Sequence, residues 1–177
     1  MNELERFAEV TTFIFDVDGV LTNSSLLVME DGTLLRQVNV RDGYAIKRAL
    51  QTGYRVAIIT GGKSKGVVER FRALGVVDIY YGIQDKTEAY REFCDLYGID
   101  EGAVMYVGDD MPDYEVMRLV GFAACPNDAC PEILALSKYT CAARGGEGVA
   151  RELIERVLRL RGDWLPHSET EDLPTSS

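Results

Sequence analysis

Thr12-Phe13-Ile14-Phe15-Asp16-Val17-Asp18-Gly19 decides the fold of this chain. The first four residues are an apolar run too short for a helix and read as a buried strand, and a polar cluster follows at once. The same pattern recurs three times. Val56 to Ile59 leads into Thr60-Gly61-Gly62, Val76 to Tyr81 leads to Lys86, and Val104 to Val107 leads into Gly108-Asp109-Asp110-Met111-Pro112-Asp113. Parallel α/β sheets gather the carboxyl ends of their strands along one edge, so these four clusters should meet in one crevice.

The stretches between the runs read as helices, which makes the fold class α/β, a parallel sheet flanked by helices. Helices are expected from about Asp42 or Gly43 to Gly53, over 63–73, over 86–97, from near Pro112, from Pro131, and over 147–160, with short strands over 122–124 and near 139–141. The segment 24–40 differs. Leu26, Leu27 and Val28 lead to Asp31-Gly32, and Leu34, Leu35, Val38 and Val40 follow. That is a hairpin signal, with both turn positions expected at φ > 0. A lone two-stranded hairpin is marginal in water, so it should pack on something, and another subunit is the expected surface. Residues 1–161 are expected to form one domain with this hairpin inserted. From 162 to 177 the composition turns polar and acidic, and the tail is expected to be disordered, unless Trp164 and Leu165 dock it on a neighbour.

With 177 residues, 46% apolar and 27% charged, the chain suits a single soluble domain. Its net charge of −10 and pI near 4.6 argue against a nucleic-acid surface. An acidic protein that handles an anionic substrate also needs a local cation. Residues 1–10 carry Glu3, Glu5 and Glu9 and no apolar core of a signal peptide, and no apolar run approaches the about 18 residues of a membrane span. A cytoplasmic location without membrane contact is therefore expected. Cys94, Cys125, Cys130 and Cys141 include no Cys-x-x-Cys pair and the single histidine is His167, so a zinc site is not expected and the cysteines read as buried spectators.

Asp16 and Asp18 are two positions apart, so both would point to one side were the strand still regular there. Two such carboxylates repel each other unless a cation bridges them, and a hard oxygen site suited to Mg²⁺ answers that, with Asp16, Asp18 and Asp109 as ligands. Asp16 is the candidate nucleophile, forming an aspartyl-phosphate. Asp18 is the candidate acid/base for the leaving oxygen and the attacking water. Lys86, Thr60 and the backbone N–H groups of Gly61 and Gly62 are placed to bind the phosphoryl oxygens.

In their order, these clusters resemble the haloacid dehalogenase superfamily of phosphohydrolases over about 11–160. Phe15 to Thr22, Val40-Arg41-Asp42-Gly43-Tyr44, Ile59-Thr60-Gly61, Gly108-Asp109-Asp110 and the loop Arg144-Gly145-Gly146-Glu147-Gly148 more narrowly resemble its capless 3-deoxy-D-manno-octulosonate 8-phosphate phosphatase family. The resemblance implies a Rossmann-like fold without a cap domain and an Mg²⁺-dependent sugar-phosphate phosphatase of lipopolysaccharide precursor synthesis. It also implies a homotetramer with the hairpin packed centrally and a neighbouring subunit over the site. By position Asp16 matches the nucleophile, Asp18 the acid/base, Asp109 the metal aspartate, and Thr60 and Lys86 the phosphate binders. Asp113, with Asp110 beside it, supports them. Arg41 and Arg70 are candidates for the sugar acid's carboxylate, a group that suits a guanidinium fork.

One position departs from the family pattern. Gly62 stands where many relatives carry Arg and where a related nonulosonate 9-phosphate phosphatase class carries Glu, which keeps the nine-carbon ester as the alternative substrate. A receiver-type phosphoacceptor module also gathers Asp, Thr and Lys at a sheet edge. It would place an adjacent acidic pair and a separate acceptor Asp before its Thr and Lys, whereas here Lys86 precedes Asp109.

Overall fold

The four apolar runs are neighbours in one parallel sheet. The computed structural model describes residues 1–166, and elements are numbered in chain order. β1 (Thr12–Phe15) lies centrally, paired with β4 (Arg55–Thr60) on one side and β6 (Val104–Val107) on the other. β5 (Asp78–Tyr81) continues the sheet beyond β4, and β7 (Phe122–Cys125) and β8 (Tyr139–Thr140) continue it beyond β6. The chain therefore builds outward from β1 in one direction, then returns and builds in the other. That reversal opens a crevice at the carboxyl end of β1, where ligands bind in open α/β sheets.

Alternation along β1 separates two cores. Phe13 and Phe15 face the layer formed by α1 (Glu3–Glu9), α2 (Val40–Gln51), α3 (Lys65–Ala73) and α7 (Val149–Arg161). Ile14 faces α4 (Lys86–Tyr97), α5 (Tyr114–Met117) and α6 (Pro131–Leu136). β1, β4 and β6 are almost wholly buried because both faces are covered, which is why they read as continuous apolar runs.

Several elements differ from expectation. α1 has no counterpart in the sequence reading. It is seven residues long, held by a capping box between Asn2 and Glu5, and it anchors through Phe7, whose ring packs edge-on against Phe122 at 4.9 Å. α2 starts earlier, at Val40, because the Asn39 side chain caps it by accepting from the Arg41 N–H. The helix expected near Pro112 is a single tight turn, Met111–Asp113, running into the short α5.

The hairpin exists as β2 (Leu27–Val28) and β3 (Leu34–Leu35), and it forms a separate antiparallel pair. Its loop is not the two-residue turn expected. The Met29 N–H bonds the Thr33 carbonyl, and only Gly32 takes a positive φ, at 84°. That is the three-residue loop with one left-handed glycine, so Asp31 needs no strained backbone.

The first residues of the polar tail pack on the domain. Trp164 is buried against Tyr44, with the Arg151 guanidinium 4.6 Å from its ring centre. Arg48 donates to the carbonyls of Asp163, Trp164 and Leu165, and the Tyr54 hydroxyl donates to Asp163. Asp163, Trp164 and Leu165 thus dock on the chain's own α2 and α7. His167 and the rest of the expected tail lie outside the described residues. The four cysteines are free, with Cys94, Cys125 and Cys141 buried. Among the described residues no helix is long and apolar enough to cross a membrane.

Asp42 ties α2 to the start of α7. Gly148 offers that helix no side-chain cap, and the Asp42 carboxylate replaces it by accepting from the Arg151 N–H at 2.8 Å. Among the described residues its other oxygen is buried without a partner. Burial raises the Asp42 carboxyl to about 6, against the opposing pull of the Arg151 N–H and charge. The folded chain then holds this proton more tightly than the unfolded chain, so the contribution of Asp42 to stability falls as pH rises from about 4 to about 6. Asp42→Asn removes that titration. Denaturation at about pH 4 and about pH 7 should show the stability difference moving in the variant's favour at the higher pH; a pH-independent difference would contradict it.

Candidate active site

Asp16 is the first residue past β1 and is 6% exposed. Its Oδ1 accepts from the Val17 N–H at 2.7 Å and lies 2.9 Å from the Lys86 ammonium. Lys86 opens α4, whose first turn is capped by Asp85, and it is itself buried. It also reaches Asp113 Oδ1 at 2.7 Å, so one ammonium bridges carboxylates from two different strand ends. Burial opposes the lysine's charge, but Asp16 and Asp113 together outweigh it and hold its pKa above the ordinary value.

Asp113 is fixed from three sides. Lys86 and the Tyr106 hydroxyl, at 2.8 Å, donate to Oδ1, and the Asp109 N–H donates to Oδ2 at 3.1 Å. Tyr106 is wholly buried in β6, and burial beside Asp113 keeps its phenol protonated. The sequence reading missed this tyrosine. The available signal was its place two residues before Gly108-Asp109, because a buried tyrosine hydroxyl needs a partner.

Asp16, Asp109 and Asp113 each present a carboxylate oxygen within 4.8 Å of the others. Burial, then Asp113 and Asp110, raise the Asp109 carboxyl to about 7. Burial and Asp113 likewise push Asp16 up, against Lys86 and the Val17 N–H. Three carboxylates facing one ammonium leave excess negative charge, and an all-oxygen set of this kind fits a hard divalent cation. The close approach of Asp109 depends on Gly19. With φ of 89°, a Cβ there would stand 1.8 Å from Asp109 Oδ2. The glycine-rich loop backs the same turn, since a Cβ at Gly145 would lie 2.1 Å from the Gly19 carbonyl oxygen.

Asp18 departs from the expected arrangement. The chain leaves strand geometry after Phe15 and enters a tight turn over Val17–Leu21, so the two-residue alternation no longer aligns Asp18 with Asp16. Its carboxylate lines the cleft but is held by Arg36, with Nε to Oδ1 at 2.7 Å and Nη2 to Oδ2 at 3.1 Å. The carboxylate oxygens that lie close to one another are those of Asp16, Asp109 and Asp113, a set that shares Asp16 and Asp109 with the expected Asp16, Asp18 and Asp109.

Thr60 ends β4, and its hydroxyl accepts from the Gly62 N–H at 3.1 Å, which turns the loop and takes one of the donors expected for phosphate. Asp16, Asp18, Thr60, Gly61, Lys86, Asp109, Asp110 and Asp113 all line one open cleft of about 440 Å³, with Asp110 exposed. Arg41 and Arg70 do not line it. Arg41 borders a separate groove with Asn23, Gln37 and Gly146. Arg70 lies near the end of α3, about 8 Å down the helix from Lys65, and turns toward Gly43 of α2.

A family model described as haloacid dehalogenase-like hydrolase matches residues 72–153. The 3-deoxy-D-manno-octulosonate 8-phosphate phosphatase of Salmonella typhi is 38% identical over 159 residues, which is 90% of this chain and 85% of that protein. The chain belongs to the 3-deoxy-D-manno-octulosonate 8-phosphate phosphatase family. A Yersinia pestis structure of this phosphatase superposes with a TM-score of 0.88 at 34% identity, covering 91% of this chain and 87% of that one. A Moraxella catarrhalis structure of the phosphatase, in complex with magnesium, phosphate and KDO, also has a TM-score of 0.88, at 32% identity over 93% and 95% of the two chains. As a member of this family the chain is a phosphoric monoester hydrolase.

Tyr106→Phe deprives Asp113 of a buried charge-assisted hydrogen bond. It should lower the unfolding free energy by about 1–3 kcal/mol in chemical denaturation, and unchanged stability would contradict the bond.

Proposed function

We propose that this enzyme hydrolyses 3-deoxy-D-manno-octulosonate 8-phosphate to the sugar acid and inorganic phosphate, through a phosphoryl group carried on Asp16. The observation that carries the reading is the Asp16–Lys86–Asp113 bridge, with Asp109 beside it, in a cleft that also contains Thr60 and Asp18. The relatives named for this substrate support its identity. The nine-carbon ester is not favoured.

An Asp16 carboxylate oxygen attacks phosphorus while the bond from phosphorus to the sugar oxygen breaks. The Asp18 carboxyl group delivers a proton to that leaving oxygen. Asp18 then takes a proton from water as the water oxygen attacks phosphorus, and the bond to Asp16 breaks. Lys86 and the Thr60 hydroxyl orient the phosphoryl oxygens and offset their charge. Asp16, Asp109 and Asp113 would hold Mg²⁺, which supplies charge neutralisation on the transferring group when bound.

The same proposal makes the enzyme cytoplasmic and homotetrameric, with the hairpin at the interface. Leu26, Leu27, Val28, Met29, Leu34 and Leu35 are all exposed on the hairpin, an apolar arm that the described residues of one chain leave uncovered. Arg41 and Arg70 remain candidates for the substrate carboxylate, acting in the cleft of a second copy.

Asp16→Asn should lower Mg²⁺-dependent phosphate release at least about 1,000-fold while light scattering shows the same oligomer. Release at the parent rate would remove the covalent mechanism. For the parent enzyme, release should require Mg²⁺ and should favour the eight-carbon ester over the nine-carbon one. The reverse preference would overturn the substrate assignment.

A further inference from the structure

We propose that Arg36, at the exit of the hairpin, is the positioning residue of the acid/base Asp18, and that the missing side chain at Gly62 is what admits it. The inference rests on the phosphatase reading above and extends it to a residue outside the motifs that carry the family resemblance.

The two-point contact between Arg36 and Asp18 uses both carboxylate oxygens and fixes the plane of the carboxyl group as well as its place. The Arg36 side chain is 7% exposed although it leaves an exposed hairpin, whereas that of Asp18 is 37% exposed and open to the cleft. The arginine is thus the packed member of the pair and the aspartate the accessible one, as expected for a clamp behind a working group. The bond with Asp18 also raises the Arg36 pKa, which leaves the guanidinium charged throughout.

Gly62 explains how the guanidinium fits. A Cβ built there stands 3.1 Å from Arg36 Nη2 and 3.4 Å from Asp18 Oδ2. A longer side chain at this position would occupy the space that the ion pair fills. The positive charge beside the Thr60 turn is therefore delivered from the hairpin, eighteen positions after Asp18 in the chain, and not from the loop after β4. Without Arg36, nothing else among the described residues bonds the Asp18 carboxylate, which could then turn toward the neighbouring cation site or away from the leaving oxygen.

The test compares two esters. A sugar phosphate has an alkoxide leaving group that needs a proton, and p-nitrophenyl phosphate has one that does not. The second-order constant kcat/KM reports steps up to release of that group, so the ratio between the esters isolates proton delivery and cancels losses of phosphate binding common to both. Arg36→Gln should lower kcat/KM for the sugar phosphate about 10- to 100-fold and for the aryl ester less than about 3-fold. Arg36→Lys should recover part of that loss. Gly62→Leu, which keeps the arginine but displaces its head, should show the same ester dependence. Asp18→Asn sets the ceiling for the effect. Equal losses on both esters in Arg36→Gln, or no loss on either, would overturn the inference while the ester dependence of Asp18→Asn leaves the phosphatase reading standing. Equal losses on both esters in Asp18→Asn would overturn the acid/base assignment and this inference with it.

Discussion

The Lys86 ammonium lies between Asp16 and Asp113, and the geometry of the site follows from that bridge. Two buried carboxylates facing each other would be forced to share a proton, which would quench the nucleophile. An ammonium within 3 Å of both offsets part of their repulsion and pins α4 to the carboxyl ends of β1 and β6. The bridge has its own support. Asp113 is held by Tyr106 and the Asp109 N–H, so the strand that brings the third carboxylate also orients the second. Removing one partner from such a cluster leaves an uncompensated buried charge, which costs far more than a surface pair.

Steric constraints complete what the charges begin. Gly19 lets the Asp109 carboxylate approach the first turn, and Gly145 lets the glycine-rich loop lie against the same backbone. Asp42 then secures the helix that follows this loop. Two cores and three loop segments therefore converge on the end of β1. The hairpin adds a fourth connection through Arg36, which links an arm with an exposed apolar surface to the acid/base.

Much of this was legible because the sheet is buried on both faces. A run such as Val104 to Val107, followed directly by Gly108-Asp109, announces a strand end carrying chemistry, and Asp16, Thr60, Lys86 and Asp109 were each found in this way. Other features left weaker signals. Tyr106 looks like any core aromatic until its hydroxyl needs a partner. Arg36 sits in a polar, irregular stretch, and its contact with Asp18 depends on how the hairpin folds back. Asp18 lines the same cleft, but it lies in a turn past the strand, where alternation no longer says which way a side chain points. α1 is too short for periodicity to reveal, and Trp164 docks through tertiary contacts with Tyr44 and Arg151 that composition cannot express.

The stereochemical course at phosphorus tests the central claim most directly. A sugar phosphorothioate made chiral at phosphorus with two oxygen isotopes, hydrolysed in water carrying the third, should give inorganic thiophosphate with retained configuration. Two in-line displacements, first by Asp16 and then by water, each invert the centre. Net inversion would mean that water attacks the ester directly, and would contradict a nucleophilic Asp16 held in place by Lys86.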